Sequence, residues 1–376
     1  MSKKGENIYK RKDGRWEGRY IVSYTTEGKA KFGYIYGKTY CEVKQRLIEK
    51  KNAVFQNAIV RDKRSVTYNE VLDAWLNSSK INTKESTYAR YTHLINTHIR
   101  PYLGVYPLSS ISTQHVEGHI EQLLENGRLD NTGGLSAKTV TDILTVIKST
   151  MEYARYNNFP VACNLGKLYV KKKEKEMRVF SQAEQAALIQ VLVSEMDLYK
   201  FGVLLSLYTG IRVGELCALK WEDLNLIDGV LNVRKTMQRI QNTGTGATTK
   251  TKVVITEPKS LCSIRTIPLP AFISDFAQLY AVSPRAFILS GDSERYVEPR
   301  TMQNRFKGYV KESGIANANF HALRHTFATR CVEAGFEIKT LSEILGHSSV
   351  NITLNRYVHS SMEWKRSNME KLEEFI

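Results

Sequence analysis

The sequence predicts a multidomain α+β protein built from three parts: a small three-stranded sheet with one helix, a helical bundle, and a mixed, mostly helical domain carrying a small β-sheet or hairpin. Three observations predict it. The chain has 376 residues, enough for two or three domains at ~100–200 residues each. The first 64 residues read as short strands punctuated by Asp13-Gly14 and Glu27-Gly28, while the next hundred carry apolar residues at helical spacing. After the charged run VKKKEKEMR, both patterns occur together. The boundaries follow as 1–64, 65–170, a linker at 171–177, and 178–376.

In the first part, IYKRKDGRWEGRYIVSY and KAKFGYIYG are the strands. Asp-Gly between alternating residues is a strong hairpin signal. A helix from Thr39 to about Ile59 follows, with Val43, Leu47 and Val54 on one face. This part holds 17 Lys and Arg against seven Asp and Glu, so +10 of the chain's net +16 lies there. Aromatic and cationic residues (Tyr9, Arg11, Arg15, Trp16, Arg19, Tyr20) interleave on strands that can enter a major groove. Aromatics occur at both parities, so the sequence leaves open which face would touch a ligand.

The second part opens with VTYNEVLDAWLNSS, where Tyr68, Val71, Leu72, Trp75 and Leu76 form a regular amphipathic stripe. KESTYARYTHLINTHIRPYLG is a second helix, with Pro101 and Gly104 as its terminators. STQHVEGHIEQLLENG starts at a Ser112 or Thr113 cap and stops near Gly127. The longest helix enters through Ser136 and ends at Asn157-Asn158. Four helices with short polar connections make a bundle.

The third part begins at Ser181, with Glu184 three residues on as a capping box. LYKFGVLLSLYTG is apolar nearly all round, so it is a core helix. GVLNVRKTMQRIQ and KVVITEPKSLCSIRTIPL are β-rich and separated by the polar NTGTGATTKT. Helices at 271–281 and 299–313 follow, the second with Met302, Phe306 and Val310 as its apolar stripe. Leu341, Ile344 and Leu345 mark a helix that stops at Gly346.

A net charge of +16 and a pI near 9.5 point to a polyanionic partner. The N-terminus has no apolar stretch of the kind a secretory signal requires, and no run approaches the ~18 apolar residues of a membrane helix. Five cysteines at 41, 163, 217, 262 and 331 show neither disulfide framework nor metal spacing. The expectation is a cytoplasmic protein without metal or other cofactor.

The chemistry concentrates in HALRHTFATRCVEAGFEIKTLSEILGHSSVNITLNRY. His321 and Arg324 share a helix face, so they can converge on one small anionic group. His347 follows a helix end, and Tyr357 comes ten residues later. A phosphodiester calls for guanidinium forks on its non-bridging oxygens. Tyrosine attacks phosphorus if a neighbour takes its proton, since its ordinary pKa is about 10. Singly, each residue has a plainer reading: a surface pair, a helix cap, a core aromatic.

HALRH, LGHSS and the tyrosine ending NITLNRY resemble the C-terminal signature of the tyrosine recombinases, the phage-integrase family. TGIRVGEL at 209–216 supplies the upstream arginine block, and Lys259 in EPKSLCSIRTIPL occupies the place of the family's hairpin lysine, with Lys250 and Lys252 as nearby rivals. The resemblance implies a site-specific recombinase that breaks and rejoins DNA through a 3′-phosphotyrosine, without ATP or metal. In it Arg212, Arg324 and His347 bind the phosphate, with Glu215 holding Arg212. Tyr357 attacks, His321 helps take its proton, and Lys259 protonates the leaving 5′-oxygen.

The resemblance extends to the first two parts. The N-terminal sheet resembles the arm-type DNA-binding domain of conjugative-transposon and some phage integrases, with Arg11, Arg15, Trp16 and Arg19 as contacts. The bundle resembles the core-binding domain, with Lys84, Arg90, Lys138 and Lys148 on phosphates. A basic strap suits a linker between two DNA clamps. Implied partners are core and arm attachment sites, a homotetramer on DNA, an excisionase and a host DNA-bending protein. The implied location is the bacterial cytoplasm, at the nucleoid. The segment after Tyr357, with Met362, Trp364, Met369 and Leu372, packs in cis or in trans. A type IB topoisomerase and a non-catalytic DNA-binding regulator are the rival functions.

Overall fold

The structure, a computed structural model, describes residues 7–24, 30–51, 66–130, 132–171, 177–242, 244, 248–258, 261–357 and 369. By its internal contacts the chain divides into two units, Met1–Lys173 and Glu174–Ile376. Lys259, most of the 171–177 linker, the Glu27-Gly28 turn and the segment after Tyr357 other than Met369 lie outside the described residues.

In the first unit, β1 (Ile8–Lys10), β2 (Trp16–Tyr24) and β3 (Ala30–Gly37) form an antiparallel sheet in that order. Gly14, at φ +87°, makes the first turn, a conformation that costs glycine little. Helix α1 (residues 40–51) covers one face, where Ile8, Val43 and Leu47 are buried with Trp16, Tyr20 and Ile35 packed around them. Gly18 permits this approach, since a Cβ there would come within 2.8 Å of Val43 Cγ1. Alternation along a strand sends the neighbouring residues to the other side. Tyr9, Phe32, Tyr34 and Tyr36 are exposed there, with the Arg19 guanidinium 4.3 Å from the Phe32 ring centre and Arg11 and Arg15 near Tyr36. Trp16, one of the expected DNA contacts, lies on the covered side. Its parity sends it to the helix-covered face, edge-on to Tyr40 at 5.3 Å.

The bundle comprises α2 (Tyr68–Asn82), α3 (Glu85–Leu94), α4 (Arg100–Leu103), α5 (Thr113–Asn126) and α6 (Ala137–Tyr156). Thr67 and Glu70 form a capping box on α2, and Ser112 and Ser136 cap α5 and α6. The α2 stripe is buried as its spacing requires, and the Tyr68 hydroxyl meets Thr150 Oγ1 at 2.5 Å in the interior. Pro101 does not end the second helix. A π-helical turn at Ile95–Ile99 joins α3 to α4, with Arg100 N–H donating to Ile95 O. The wider turn takes up the register that proline's missing N–H and bulky ring would disrupt.

The second unit contains α7 (Gln182–Val193), α8 (Leu198–Thr209) and α9 (Val213–Ala218), then β4 (Leu224–Asn225), β5 (Val230–Val233), β6 (Thr236–Gln241), β7 (Thr251–Thr256) and β8 (Arg265–Pro268). Helices α10 (Ala271–Tyr280), α11 (Pro299–Glu312), α12 (His321–Glu333), α13 (Ile338–Leu345) and α14 (Val350–Tyr357) follow. The expected strand GVLNVRKTMQRIQ is two strands in two sheets: β5 lies between β4 and β8, whereas β6 pairs with β7 in a two-stranded sheet among the described residues. The reason is a phase change. Leu231 and Val233 keep a period of two, but the next buried pair, Met237 and Ile240, is three apart, so one flat strand cannot bury both sets. Helix α8 is buried along almost its whole length, as its all-round apolar character demands.

Two glycines separate positional need from mere tolerance. Gly210 ends α8 at φ +64°, and a Cβ there would lie 2.6 Å from Phe327 Cδ1. Gly308, inside α11, faces open space. Urea denaturation should show Gly210→Ala less stable by at least about 1 kcal/mol, and Gly308→Ala more stable by about 0.5–1 kcal/mol through helix propensity.

Candidate active site

The site is assembled from helix ends. Helix α8 ends at Gly210 and α13 at Gly346, both in the left-handed conformation, and each leaves carbonyls with no partner inside its helix. Arg324, in the first turns of α12, fills that need. Its Nη1 donates to Gly210 O at 2.8 Å and its Nη2 to Leu345 O at 2.7 Å, and the residue is only 2% exposed. A cation between two helix C-termini also meets the negative ends of both dipoles. Burial and the neighbouring Arg212 push its pKa down to about 9, so it remains charged at neutral pH. Two of its five N–H donors hold the fold, and the remaining ones are available to a ligand.

Arg212 stands at the N-cap position of α9. Its backbone N–H donates to Glu215 Oε2 at 2.9 Å and its Nη1 to Oε1 at 2.6 Å. Glu215 is also held by Arg265, whose Nη1 and Nη2 reach its two oxygens at 3.2 and 2.9 Å. Burial alone would raise the Glu215 carboxyl, but Arg265 and then Arg212 overcome it and hold the pKa below the ordinary value. Arg265 makes two further bonds inside the protein, with Nε on Ile344 O at 2.6 Å and Nη1 on Ser263 O at 3.1 Å. Arg212 keeps a partly exposed guanidinium, its side chain 37% accessible. Arg212 can meet a ligand; Arg265 is committed to the structure.

The turn after α13 delivers His347. Gly346 N–H bonds back to Glu343 O and His347 N–H to Ser342 O at 3.1 Å, the closing pattern of a Schellman motif. His347 Nδ1 pairs with the buried Thr353 hydroxyl at 2.9 Å, which fixes the ring. Its plane lies within 4° of the Tyr357 ring, centres 6.4 Å apart. Tyr357, the last described residue of α14, is 6% exposed among Ala328, Cys331, Leu341 and Leu345. Its hydroxyl is 2.9 Å from His325 Nδ1.

Electrostatics follow from this crowding of cations. Burial first, then Arg324, Arg212 and Arg356, push His347 down to about 3. Burial, then Arg324, Arg212 and Arg356, push His321 down to about 4. Both rings are therefore neutral near pH 7. Burial raises the Tyr357 phenol, while Arg324 and Arg356 pull against that rise.

The structure thus brings Arg212, Glu215, Arg324, His347 and Tyr357 to one place, with His321 at the start of α12, edge-on to His325 at 4.6 Å. Sequence reasoning missed Arg265, His325, Thr353 and Arg356. His325 was visible as the last letter of HALRH, one helical turn after His321. Arg265 had no sequence signal beyond a cation in a strand. Lys250 is exposed beside β7, and Lys252 lies within it opposite Ile240. Among the described residues, no group of three or more His, Cys, Asp or Glu is placed to hold a metal ion.

Of the expected DNA contacts in the bundle, Arg90 and Lys138 both pair with Asp142, the latter at 2.8 Å. Lys84 sits exposed at the N-cap of α3. Lys148 is half-buried along a groove lined by Leu144, Leu168 and Tyr169. Arg11 pairs with Glu17, and Arg15 with Asp13 at 2.8 Å.

Residues 178–363 match the model of the phage integrase family, and residues 67–124 that of the phage integrase N-terminal SAM-like domain. A XerC-like tyrosine recombinase of Caldanaerobacter subterraneus is 25% identical over 91% of each chain. The ICEBs1 integrase of Bacillus subtilis is 22% identical over 86% of this chain and 87% of its own length. Among solved structures, the Tn1549 transposon integrase bound to circular-intermediate DNA has the same fold, with a TM-score of 0.65 and 22% identity over 82% of this chain and all of the other. A lambda integrase dimer on a core site shares it too, at a TM-score of 0.58 and 19% identity over 97% and 98% of the two chains. No helix among the described residues is long and apolar enough to cross a membrane. Arginine block, histidines and tyrosine all fall within the matched segment, and the chain belongs to the phage integrase family of tyrosine recombinases.

Proposed function

We propose that this enzyme is a site-specific DNA recombinase that integrates and excises a mobile genetic element, cleaving and rejoining strands through a 3′-phosphotyrosine. The observation that carries the reading is the Tyr357 hydroxyl held within a buried cationic pocket beside Arg324, with Arg212 opening to solvent. Guanidinium donors aimed at the non-bridging oxygens stabilise the charge that builds as phosphorus is attacked. His347, fixed through Nδ1 by Thr353, has Nε2 left for a third contact. Tyr357 forms the bond to phosphorus, and the 5′-oxygen leaves with a proton. By resemblance, Lys259 gives that proton.

Similarity to integrases of mobile elements supports the biological role. The N-terminal sheet, with Arg11, Arg15 and Arg19 set among exposed aromatics, would bind arm sites through the face opposite α1. Lys84, Arg90, Lys138 and Lys148 would meet core-site phosphates. For Arg90 and Lys138 this requires exchange of Asp142 for a phosphate. The solved lambda integrase tetramer on a Holliday junction supports a tetrameric assembly, with an excisionase and a host DNA-bending protein completing direction control. The reaction would take place in the bacterial cytoplasm, at the nucleoid.

A nicked suicide duplex carrying the element's attachment site tests the reading. With EDTA present, the wild-type protein should give an SDS-resistant adduct, lost in Tyr357→Phe and kept in Tyr309→Phe, which alters a core tyrosine. Specific binding without any adduct would sink the enzyme reading. Arg212→Ala should keep binding but lower single-turnover cleavage by about 10²–10³-fold.

Arg265→Ala should act first on the fold, because it removes the buried partner of the Glu215 carboxylate and leaves it only the half-exposed Arg212. About 3–5 kcal/mol of stability should disappear in denaturant titrations. The pH dependence has a definite sign. A carboxyl held below its ordinary pKa contributes stability above that value and loses it as pH falls through the depressed one. Wild-type stability should therefore drop below about pH 4.5 more steeply than that of Glu215→Gln. Equal slopes would contradict the assignment.

A further inference from the structure

We propose that His325, and not His321, is the group that holds the Tyr357 hydroxyl and takes its proton as the tyrosine oxygen attacks phosphorus. The inference rests on the recombinase reading and deepens it. Three observations carry it. The Tyr357 hydroxyl is 2.9 Å from His325 Nδ1, within reach of direct proton transfer. Both residues are buried, at 6% and 8% exposure, so water does not compete for that proton. His321 starts α12, more open to solvent than His325, and lies edge-on to the His325 ring at 4.6 Å. Positions 321 and 325 share a helix face, and the ring one turn further in is the one that reaches the phenol.

The local charges agree with this geometry. Burial, then His321, Arg356 and Arg324, push His325 down to about 4, so the ring is neutral near pH 7. Burial keeps the phenol protonated. A protonated phenol facing a neutral imidazole has the O–H donating to Nδ1, with the ring's own hydrogen on Nε2. Arg324, which draws the phenol's pKa down, then stabilises the tyrosinate as it forms.

The step balances. The phenolic proton passes to Nδ1, the Tyr357 oxygen forms its bond to phosphorus, and the bond from phosphorus to the 5′-oxygen breaks. The departing oxygen takes a proton from the general acid. In rejoining, the incoming 5′-hydroxyl attacks and returns a proton to that acid, and Tyr357 leaves carrying the proton that His325 held. No oxidant, metal or nucleotide takes part.

Single-turnover cleavage of the suicide duplex, with both a normal and a 5′-bridging phosphorothiolate linkage, tests the assignment. A sulfur leaving group needs no proton, so it rescues a lost acid but not a lost base. His325→Ala and His325→Gln should bind DNA like the wild type and cleave about 10²-fold more slowly. The defect should persist on the sulfur substrate, whereas that of Lys259→Ala should be relieved. Glutamine retains a hydrogen-bonding group yet accepts no proton, so it separates base catalysis from mere positioning. Between pH 6 and 9 the wild-type rate should stay nearly flat, while the variants' rates rise about tenfold per unit as the phenol itself begins to ionise. Wild-type cleavage by both His325 variants would overturn the inference, as would sulfur rescue of their defect or transfer of the pH effect to His321→Ala. A wild-type protein that binds and never forms an adduct would overturn the recombinase reading and this inference together.

Discussion

The catalytic unit depends on one buried guanidinium. Arg324 joins the last carbonyls of α8 and α13, so the turn preceding Arg212 and the turn preceding His347 are both tied to the helix that carries His321 and His325. An isolated charge at that depth would be costly. Two helix C-termini and the nearby Glu215 make it tolerable. The same contacts leave donors facing the Tyr357 hydroxyl. The positive field that organises the fold is thus the field a phosphodiester would meet.

A second layer sits behind the first. Glu215 takes hydrogen bonds from Arg212 and Arg265, and Arg265 continues to Ile344 O just ahead of the His347 turn. Arg265 opens β8, so this chain of contacts links the β-sheet, the arginine block and the histidine turn. Gly346 belongs to the same arrangement, since a Cβ there would come within 3.0 Å of the Arg265 side chain. The three ligand-facing groups are therefore coupled through a buried residue that turns four of its five donors to the protein.

Much of this was legible in the chain because periodicity and capping are local. The α2 stripe, the Ser181–Glu184 box and the stop at Gly346 follow from neighbours within one or two turns. The His321–Arg324, His347 and Tyr357 positions were legible because the chemistry of a phosphodiester restricts residue types, and the Arg212 block through the resemblance to the tyrosine recombinases. What was hidden is tertiary. Nothing near Arg265 in sequence announces that its carboxylate partner lies 50 residues earlier. His325 and Tyr357 meet only because α12 and α14 pack together, so the resemblance pointed to His321 instead. The side Trp16 would take was hidden because a period of two names two faces without saying which one a helix will cover. Pro101 misled because the π turn that accommodates it has no sequence signature of its own.

The central claim is that one particular tyrosine among 20 becomes covalently joined to DNA. Peptide mass spectrometry of the trapped adduct, trimmed with nuclease and digested with trypsin, reads this directly. The account predicts a nucleotide mass on the peptide YVHSSMEWK, which begins at Tyr357 after cleavage at Arg356. A nucleotide on any other tyrosine, or on a serine or histidine of that peptide, would contradict it.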